Sequence, residues 1–425
     1  MHNRNAVRYF IILSALLLFL FVSNDFGLID VQKTAIVTAI GIDREEEEFV
    51  ISSQIALPVS GEQKGGSKTV QIVSKGKTVA DAFEKINDKT GWYPKLVFCK
   101  LILLGESAVK QNVFNALDFF LRDEYVSDDC SLAVCAGSAQ DLLNSVTPID
   151  DSSGTAIGKI LSAHAERVGS VAPNTLRKFA ASSFGDGKSG FLPLLKTEET
   201  QEKTSASNDN QGKQGGSNNS TSGSNNSGSP QSSGGKTATN GENGGSGGSG
   251  GNGESSEKVF SARQTAMFLN GVAVDNLTAE ETFAYVAVQN KLQLAAYTVD
   301  AEGEAYTLTI KHNSPSVKLK INDNGVAKLT IDVKMVAGIA DFSGAKDQNK
   351  IKNAGDVPPA VFRAAEEKLK TQIESVFEKS QKSGCDLFGL IDHLKKYENR
   401  YFEPFKTDVL TRVIPTVTVS FSTVR

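Results

Sequence analysis

From Thr200 to Glu257 the chain offers no side chain on which a core could be founded, being almost wholly Gly, Ser, Asn, Thr and Gln. Such a stretch reads as a flexible linker and not as a fold, with a random-coil reach of roughly 40–50 Å. It forces the 425 residues into separate folding segments. The expected organisation is an N-terminal signal anchor or transmembrane helix over 1–27, a first folded domain over 28–196, the linker over 197–257 and a second folded domain over 258–425.

The N-terminus sets the compartment. Tyr9 to Val22 is apolar apart from Ser14, with Arg4 and Arg8 before it and Asp25 and Asp30 after it. A basic front, an apolar centre and an acidic exit place the N-terminus on the inner side of a membrane and the rest outside. The run has the length of a signal-peptide core. Its exit, Phe21-Val22-Ser23-Asn24-Asp25, lacks the small-residue cleavage pattern, so a retained anchor is expected, with cleavage as the alternative. The expected location is therefore a membrane, single-pass, with most of the chain extracytoplasmic.

Both halves read as mixed α and β. Thr34–Asp43 suits a well-buried strand, and Phe49, Ile51, Ile55 and Leu57 alternate as a half-buried one. Thr78 with Asp81 opens a helix striped by Val79, Ala82, Phe83 and Ile86 and closed at Gly91. Leu96–Leu104 is predicted as a strand, Val109–Leu121 as a helix and Cys130–Ala136 as a strand. In the second half Asn270-Gly271 and Asn324-Gly325 are hairpin turns, and Thr278 with Glu281 is a capping box. Tyr306–Ile310, Val317–Ile321 and Val326–Val336 are predicted strands. Phe362, Ala365, Leu369, Ile373, Val376 and Phe377 stripe a long helix ended by Gly384, with Glu366 and Lys370 paired on its wet face. Val413–Val424 is a last alternating strand. The expected fold class is α+β, with mixed or antiparallel sheets flanked by helices.

Motifs for chemistry are scarce. The net charge is −4 with no basic run, which excludes a nucleic-acid footprint. Cys99, Cys130, Cys135 and Cys385 lack zinc-ligand spacing and read as buried apolar residues. The odd spacing of Cys130 and Cys135 puts them on opposite faces of a strand, against a disulfide between them. His2, His164, His312 and His393 have no carboxylate or cysteine at ligand spacing. Gly187-Lys188-Ser189 resembles the end of a phosphate loop, but Ser182 stands where its first glycine belongs and Pro193 interrupts any helix after it. No catalytic, cofactor-binding or metal residue is assigned.

Several blocks resemble the Ger(x)C family of spore germination proteins. Ala35-Ile36-Val37-Thr38-Ala39-Ile40-Gly41-Ile42-Asp43 is similar to the family's AIVTGIGID signature. Leu101 to Ala108, with Gly105-Glu106, is similar to its second block. Leu117-Asp118 with Arg122-Asp123-Glu124, then Gly137-Ser138-Ala139 with Leu142-Leu143, follow at the family's spacing. Cys385-Asp386-Leu387-Phe388-Gly389-Leu390 resembles the segment after its long helix. The resemblance implies the C subunit of a nutrient germinant receptor: a non-enzymatic protein of the spore membrane, without cofactors, that assembles with membrane-embedded A- and B-type subunits. Two departures stand out. The family's lipid-bearing cysteine should fall near Ser23 and is absent, and the linker is longer than the family implies, which argues against rigid packing of the halves. A cell-wall hydrolase or its regulator would need clustered acid, base or metal side chains, and a solute-binding protein would need a deep pocket between two lobes joined by a short hinge.

Overall fold

The computed structural model describes residues 2–23, 34–57, 69–150, 152–199, 258–322, 324–344 and 353–423. Most of the 197–257 linker, together with Asp25, Asp30 and Lys33, lies outside the described residues. The apolar N-terminal run is the helix α1 (His2–Ser23), whose described side chains, Val7 to Phe19, are all exposed. Among the described residues no helix is long and apolar enough to cross a membrane.

The first half begins with the strands β1 (Thr34–Glu45), β2 (Glu48–Ala56) and β3 (Thr69–Gly76), a meander of antiparallel neighbours. Helix α2 (Val79–Thr90) starts at Thr78, whose Oγ1 accepts from Asp81 N–H at 3.1 Å, and stops at Gly91 with φ 70°. Its buried face is Val79, Ala82, Phe83 and Ile86, as the 3.6-residue period requires. Then come β4 (Tyr93–Lys95), β5 (Leu101–Leu104), α3 (Glu106–Val109), α4 (Phe114–Arg122) and β6 (Ser131–Cys135). Strands β4 and β5 lie parallel to β1, and β6 parallel to β5. Helices α5 (Ala139–Leu143), α6 (Ser153–Ile160) and α7 (Ala163–Arg167), strand β7 (Asn174–Thr175), helix α8 (Leu176–Phe184) and strand β8 (Ser189–Glu199) complete the half.

Beyond the linker, β9 (Lys258–Leu269) and β10 (Val272–Leu277) form the hairpin around Asn270 (φ 52°) and Gly271 (φ 76°). They do not start a new sheet. The ten-stranded first sheet runs β10-β9-β8-β6-β5-β1-β2-β3, with β4 on β1 and β7 on β6. The boundary between sheets thus falls after Leu277, twenty residues past the linker edge that composition marks, and both halves belong to one compact unit, against the expectation of loosely tethered halves. The second sheet is β11 (Ala295–Ala301), β12 (Glu304–Ile321), β13 (Ala327–Phe342) and β14 (Ile414–Thr423), in that order. Helix α9 (Ala279–Val288) precedes it, and α10 (Pro359–Ser383), α11 (Leu390–Tyr397), α12 (Phe402–Phe405) and α13 (Val409–Arg412) form the crossover that lets β14 run parallel to β13.

Both faces of the first sheet are covered. Ile102 and Leu104 enter a core with Phe83, Phe120 and Phe179, while Leu101 and Leu103 enter another with Leu142, Leu143 and Ile157. This is why β2 is buried along its length instead of alternating. Leu96–Lys100 is loop, not strand: Leu96 and Cys99 are buried while Val97 and Phe98 point out. The predicted helix from Val109 is broken into α3 and α4. The predicted break in β12 is absent. Its partner β11 ends opposite Ile310, so Pro315 meets β13 on one side and its missing N–H leaves no neighbour unpaired. Glu366 does not pair with Lys370. Its Oε1 accepts from Phe421 N–H of the edge strand β14 at 2.9 Å, and Lys370 pairs with Glu374 instead.

Strand β9 is where the halves become one body. Ala266 and Phe268 belong to one core of the first sheet, Ala262 to the other, and Met267 to the core of the second sheet. If a specific protease site is placed in the middle of 197–257, the two fragments made by cutting should co-elute at the size of the intact chain. Fragments that separate in native buffer would show that the β8–β9 contact does not hold the halves together.

Candidate functional site

The residues of the resemblance meet at two places. The first is at the C-terminal ends of the parallel strands β1, β5 and β6, where open α/β sheets commonly hold their ligands. Here Asp43 closes β1 and is buried. Its carboxylate accepts from Ser138 Oγ at 3.1 Å, Ala139 N–H at 2.9 Å and Gln140 N–H at 2.8 Å. It thereby satisfies the first N–H groups of α5, which no residue of that helix can reach. Gly105 presses on it: a Cβ there would lie 1.8 Å from Asp43 Oδ1. Further bonds tie the three strand ends, from Gly105 N–H to Ile42 O, from Glu106 N–H to Gly137 O and from Arg44 N–H to Ser107 Oγ, each 2.8 Å. The carboxylate is enclosed by donors of its own chain, so the place where a ligand would sit is filled by a structural lock.

The second place is the seam between the sheets. Gly384 (φ 71°) ends α10, and Cys385 and Asp386 follow in the turn to α11. The buried Cys385 thiol donates to Phe268 O of β9 at 3.2 Å and lies 3.7 Å from Gly190 O of β8. Asp386 N–H donates to Ser189 Oγ at 2.8 Å, and its carboxylate accepts from Leu390 N–H at 2.9 Å and Ile391 N–H at 2.8 Å. The Gly187-Lys188-Ser189 segment therefore serves as the partner of this turn. A cleft of about 230 Å³ beside it is lined by Ser182, Phe191, Tyr285, Gln289, Phe388 and Asp392.

Electrostatics of the seam follow from burial. Burial pushes the Cys385 thiol up to about 11, so near neutral pH it is not the thiolate that a nucleophile needs. Burial also pushes the Asp386 carboxyl above the usual aspartate range, against the pull of the Ile391 and Leu390 N–H groups. At Glu281, held against α10 by Lys379 and Ser375, burial acts in the same upward direction. There the hydrogen bonds from Lys379 Nζ (2.7 Å), Thr278 N–H (2.8 Å) and Ser375 Oγ (2.7 Å) outweigh it and leave the group below the usual range. The capping box expected at Thr278 and Glu281 is present.

The histidines are not brought together. His164 is exposed on α7 and His312 on β12, and the His393 ring lies 4.7 Å from that of Tyr397 on α11. Among the described residues no cluster of three or more His, Cys, Asp and Glu could hold a metal. All four cysteines are buried and free, and Cys130 and Cys135 serve different cores, as their spacing implies. Sequence reading missed that Cys99 and Cys130 approach to 4.0 Å between sulfurs, since the pairing of β5 with β6 that brings them close is non-local.

These features define an α+β protein of two interlocked sheets whose shared motifs are acceptor-filled joints. Two family models match the chain, the spore germination protein N-terminal domain over residues 28–197 and the spore germination B3/GerAC-like C-terminal domain over residues 263–423. The chain belongs to this GerAC, or Ger(x)C, family of spore germination proteins. It is 27% identical over 125 residues to spore germination protein B3 of Bacillus subtilis (strain 168), a match over 28% of this chain and about a third (33%) of that protein. A solved structure, that of the GerBC protein, is similar with a TM-score of 0.48 and 17% identity, covering 91% of this chain and 97% of that one.

Two measurements check the joints. Gly105→Ala should cost about 1–3 kcal/mol by overpacking and distinctly less in an Asp43→Ala background, because the clash partner is gone. Additive costs in a denaturant double-mutant cycle would mean the two groups do not touch. For Asp386, the raised native pKa means that the folded chain holds a proton the unfolded chain has released. Stability from this group is thus full below the ordinary aspartate value, ~3.9, and declines as pH rises through the native value. Asp386→Asn should remove that part of the decline in the urea midpoint, and an unchanged slope would show that Asp386 titrates as it does in water.

Proposed function

We propose that this chain is a non-enzymatic, extracytoplasmic subunit of a membrane germinant receptor, acting in nutrient-triggered spore germination. The observation that carries the reading is that both family domains match while the motif residues Asp43, Gly105, Ser138 and Asp386 act as joints of the scaffold. A protein whose most characteristic residues are spent on its own rigidity works through surface, and its partners in this reading are the membrane-embedded A- and B-type subunits. In this reading the helix α1 is retained and, with the residues that flank its apolar run completing the span, holds the chain in the spore inner membrane by a single pass, standing in for the lipid that a cysteine near Ser23 would carry. The folded halves are then two parts of one extracytoplasmic body joined through the 197–257 linker.

In spores, the tagged chain should co-purify with A- and B-type subunits from the inner membrane. Alanine at His164, His312 or His393 should leave the nutrient response near wild type. Loss of the response in one of these variants, with folding and co-purification intact, would replace the interaction reading by a hidden catalytic or ligand-binding centre. Deleting 258–425 would take β9 and β10 out of the first sheet along with the whole second sheet.

A further inference from the structure

Among the described residues, six of the sixteen large apolar side chains exposed outside α1 gather at one end of the first sheet. Strands β1, β4, β5 and β6 are parallel, so their N-terminal ends share that end. The loop entering β4 presents Trp92 (43% exposed) and β4 opens with the exposed Tyr93, the loop entering β5 presents Val97 and Phe98 (55%), and the loop entering β6 presents Tyr125 (56%). Ile36 lies beside them, opposite Lys95, and Lys95 Nζ stands 5.4 Å from the centre of the Tyr125 ring, which fixes the β4 and β6 loops as neighbours. The Gly91 cap that ends α2 is what turns Trp92 outward.

This is also the end at which the chain arrives. Thr34 pairs with Tyr93, and ten residues, 24–33, separate it from the last residue of α1. Even fully extended they span only about 35 Å. If α1 is held in a bilayer, this rim is the part of the described body on the shortest leash to it, and β1 leads away from it. Tryptophan and tyrosine with small apolar neighbours are the side chains that settle at the boundary of headgroups and acyl chains. The charges nearby do not add up to a basic patch: Lys89 and Lys100 are exposed, but so are Glu124, Asp128 and Asp129. The contact is therefore apolar and interfacial instead of an attraction to anionic lipid.

We infer that the rim of Trp92, Tyr93, Val97, Phe98 and Tyr125 seats against the lipid surface and fixes the orientation of the first sheet above the membrane. The inference rests on the proposed anchoring by α1, and the two can fail separately. Trp92 is the only tryptophan of the chain, so its emission reports on the rim alone. The full chain is reconstituted in phosphatidylcholine vesicles carrying lipid brominated either near the glycerol end or near the acyl terminus, and the vesicles are floated. The expected result is a blue-shifted Trp92, strongly quenched by the shallow bromines, weakly by the deep ones and poorly by aqueous iodide, with little change between low and high salt. Val97→Asp with Phe98→Asp, both outside the cores, should return Trp92 to iodide without altering flotation. Protein that floats while wild-type Trp92 stays open to iodide overturns the inference alone and leaves the rim for a protein partner. Protein that does not float overturns the anchoring and this inference together.

Discussion

The pairing of β9 with β8 is the contact on which the rest of the architecture depends. These strands are separated in sequence by the 197–257 segment, and closing so long a loop costs little more than closing a short one, about 0.6 kcal/mol for each doubling. What is gained is large by comparison. Phe268 is fully buried and meets Phe179 edge to face at 5.2 Å, and Met267 on the opposite face is fully buried in the core of the second sheet. One strand thus contributes to cores on both sides. A linker of any composition is compatible with this, because the seam, not the connection, sets the relation of the two sheets.

The seam also explains why cysteine and aspartate stand together at 385 and 386. A turn that docks onto the ends of two strands must provide partners for carbonyls on one side and for helix N–H groups on the other. The Cys385 thiol is small enough to be buried and can donate weakly to two carbonyls. Asp386 supplies the acceptors for α11. Its burial leaves it easier to protonate than usual, whereas Glu281, given a lysine and two further donors, is harder to protonate. The two carboxyls impose opposite slopes on stability: Glu281 loses its contribution as pH falls below the ordinary glutamate range, and Asp386 loses its contribution as pH rises. The two windows lie on opposite sides of the ordinary carboxylate range, so the slopes do not cancel and each direction of pH change removes the contribution of one of the two groups.

How much could be read from the sequence follows from the range of each interaction. Caps at Thr78 and Thr278, the turn at Asn270-Gly271 and the stop at Gly384 depend on residues three or four apart, and all appear as expected. The helical stripes are legible for the same reason. Sheet membership is not local. Nothing between Lys258 and Leu277 states that these strands join a sheet begun at Thr34, and β2 looks half-buried until helices cover its second face. Pro315 looks like a strand breaker until its open side is known, and Glu366 looks like a helix-surface partner until an edge strand presents an N–H to it. The blocks that mark the family were legible as words, but not as joints, because Asp43 and Ser138 come together only when β1 and β6 flank β5.

The two ends of the parallel strands have been put to different uses. Their C-terminal ends, the common place for a ligand in such a sheet, are closed by Asp43 with the first N–H groups of α5, and Gly105 is needed there because no side chain fits beside the carboxylate. Rigidity at that end holds β1, β5 and β6 in fixed relation, and it is those three strands, with β4, whose opposite ends carry the exposed aromatic loops. Loops that expose Trp92, Phe98 and Tyr125 would collapse inward on a yielding scaffold, because water disfavours them as much as any core residue. They stay outward because the interior beneath them is already filled by Leu96, Cys99 and Cys130.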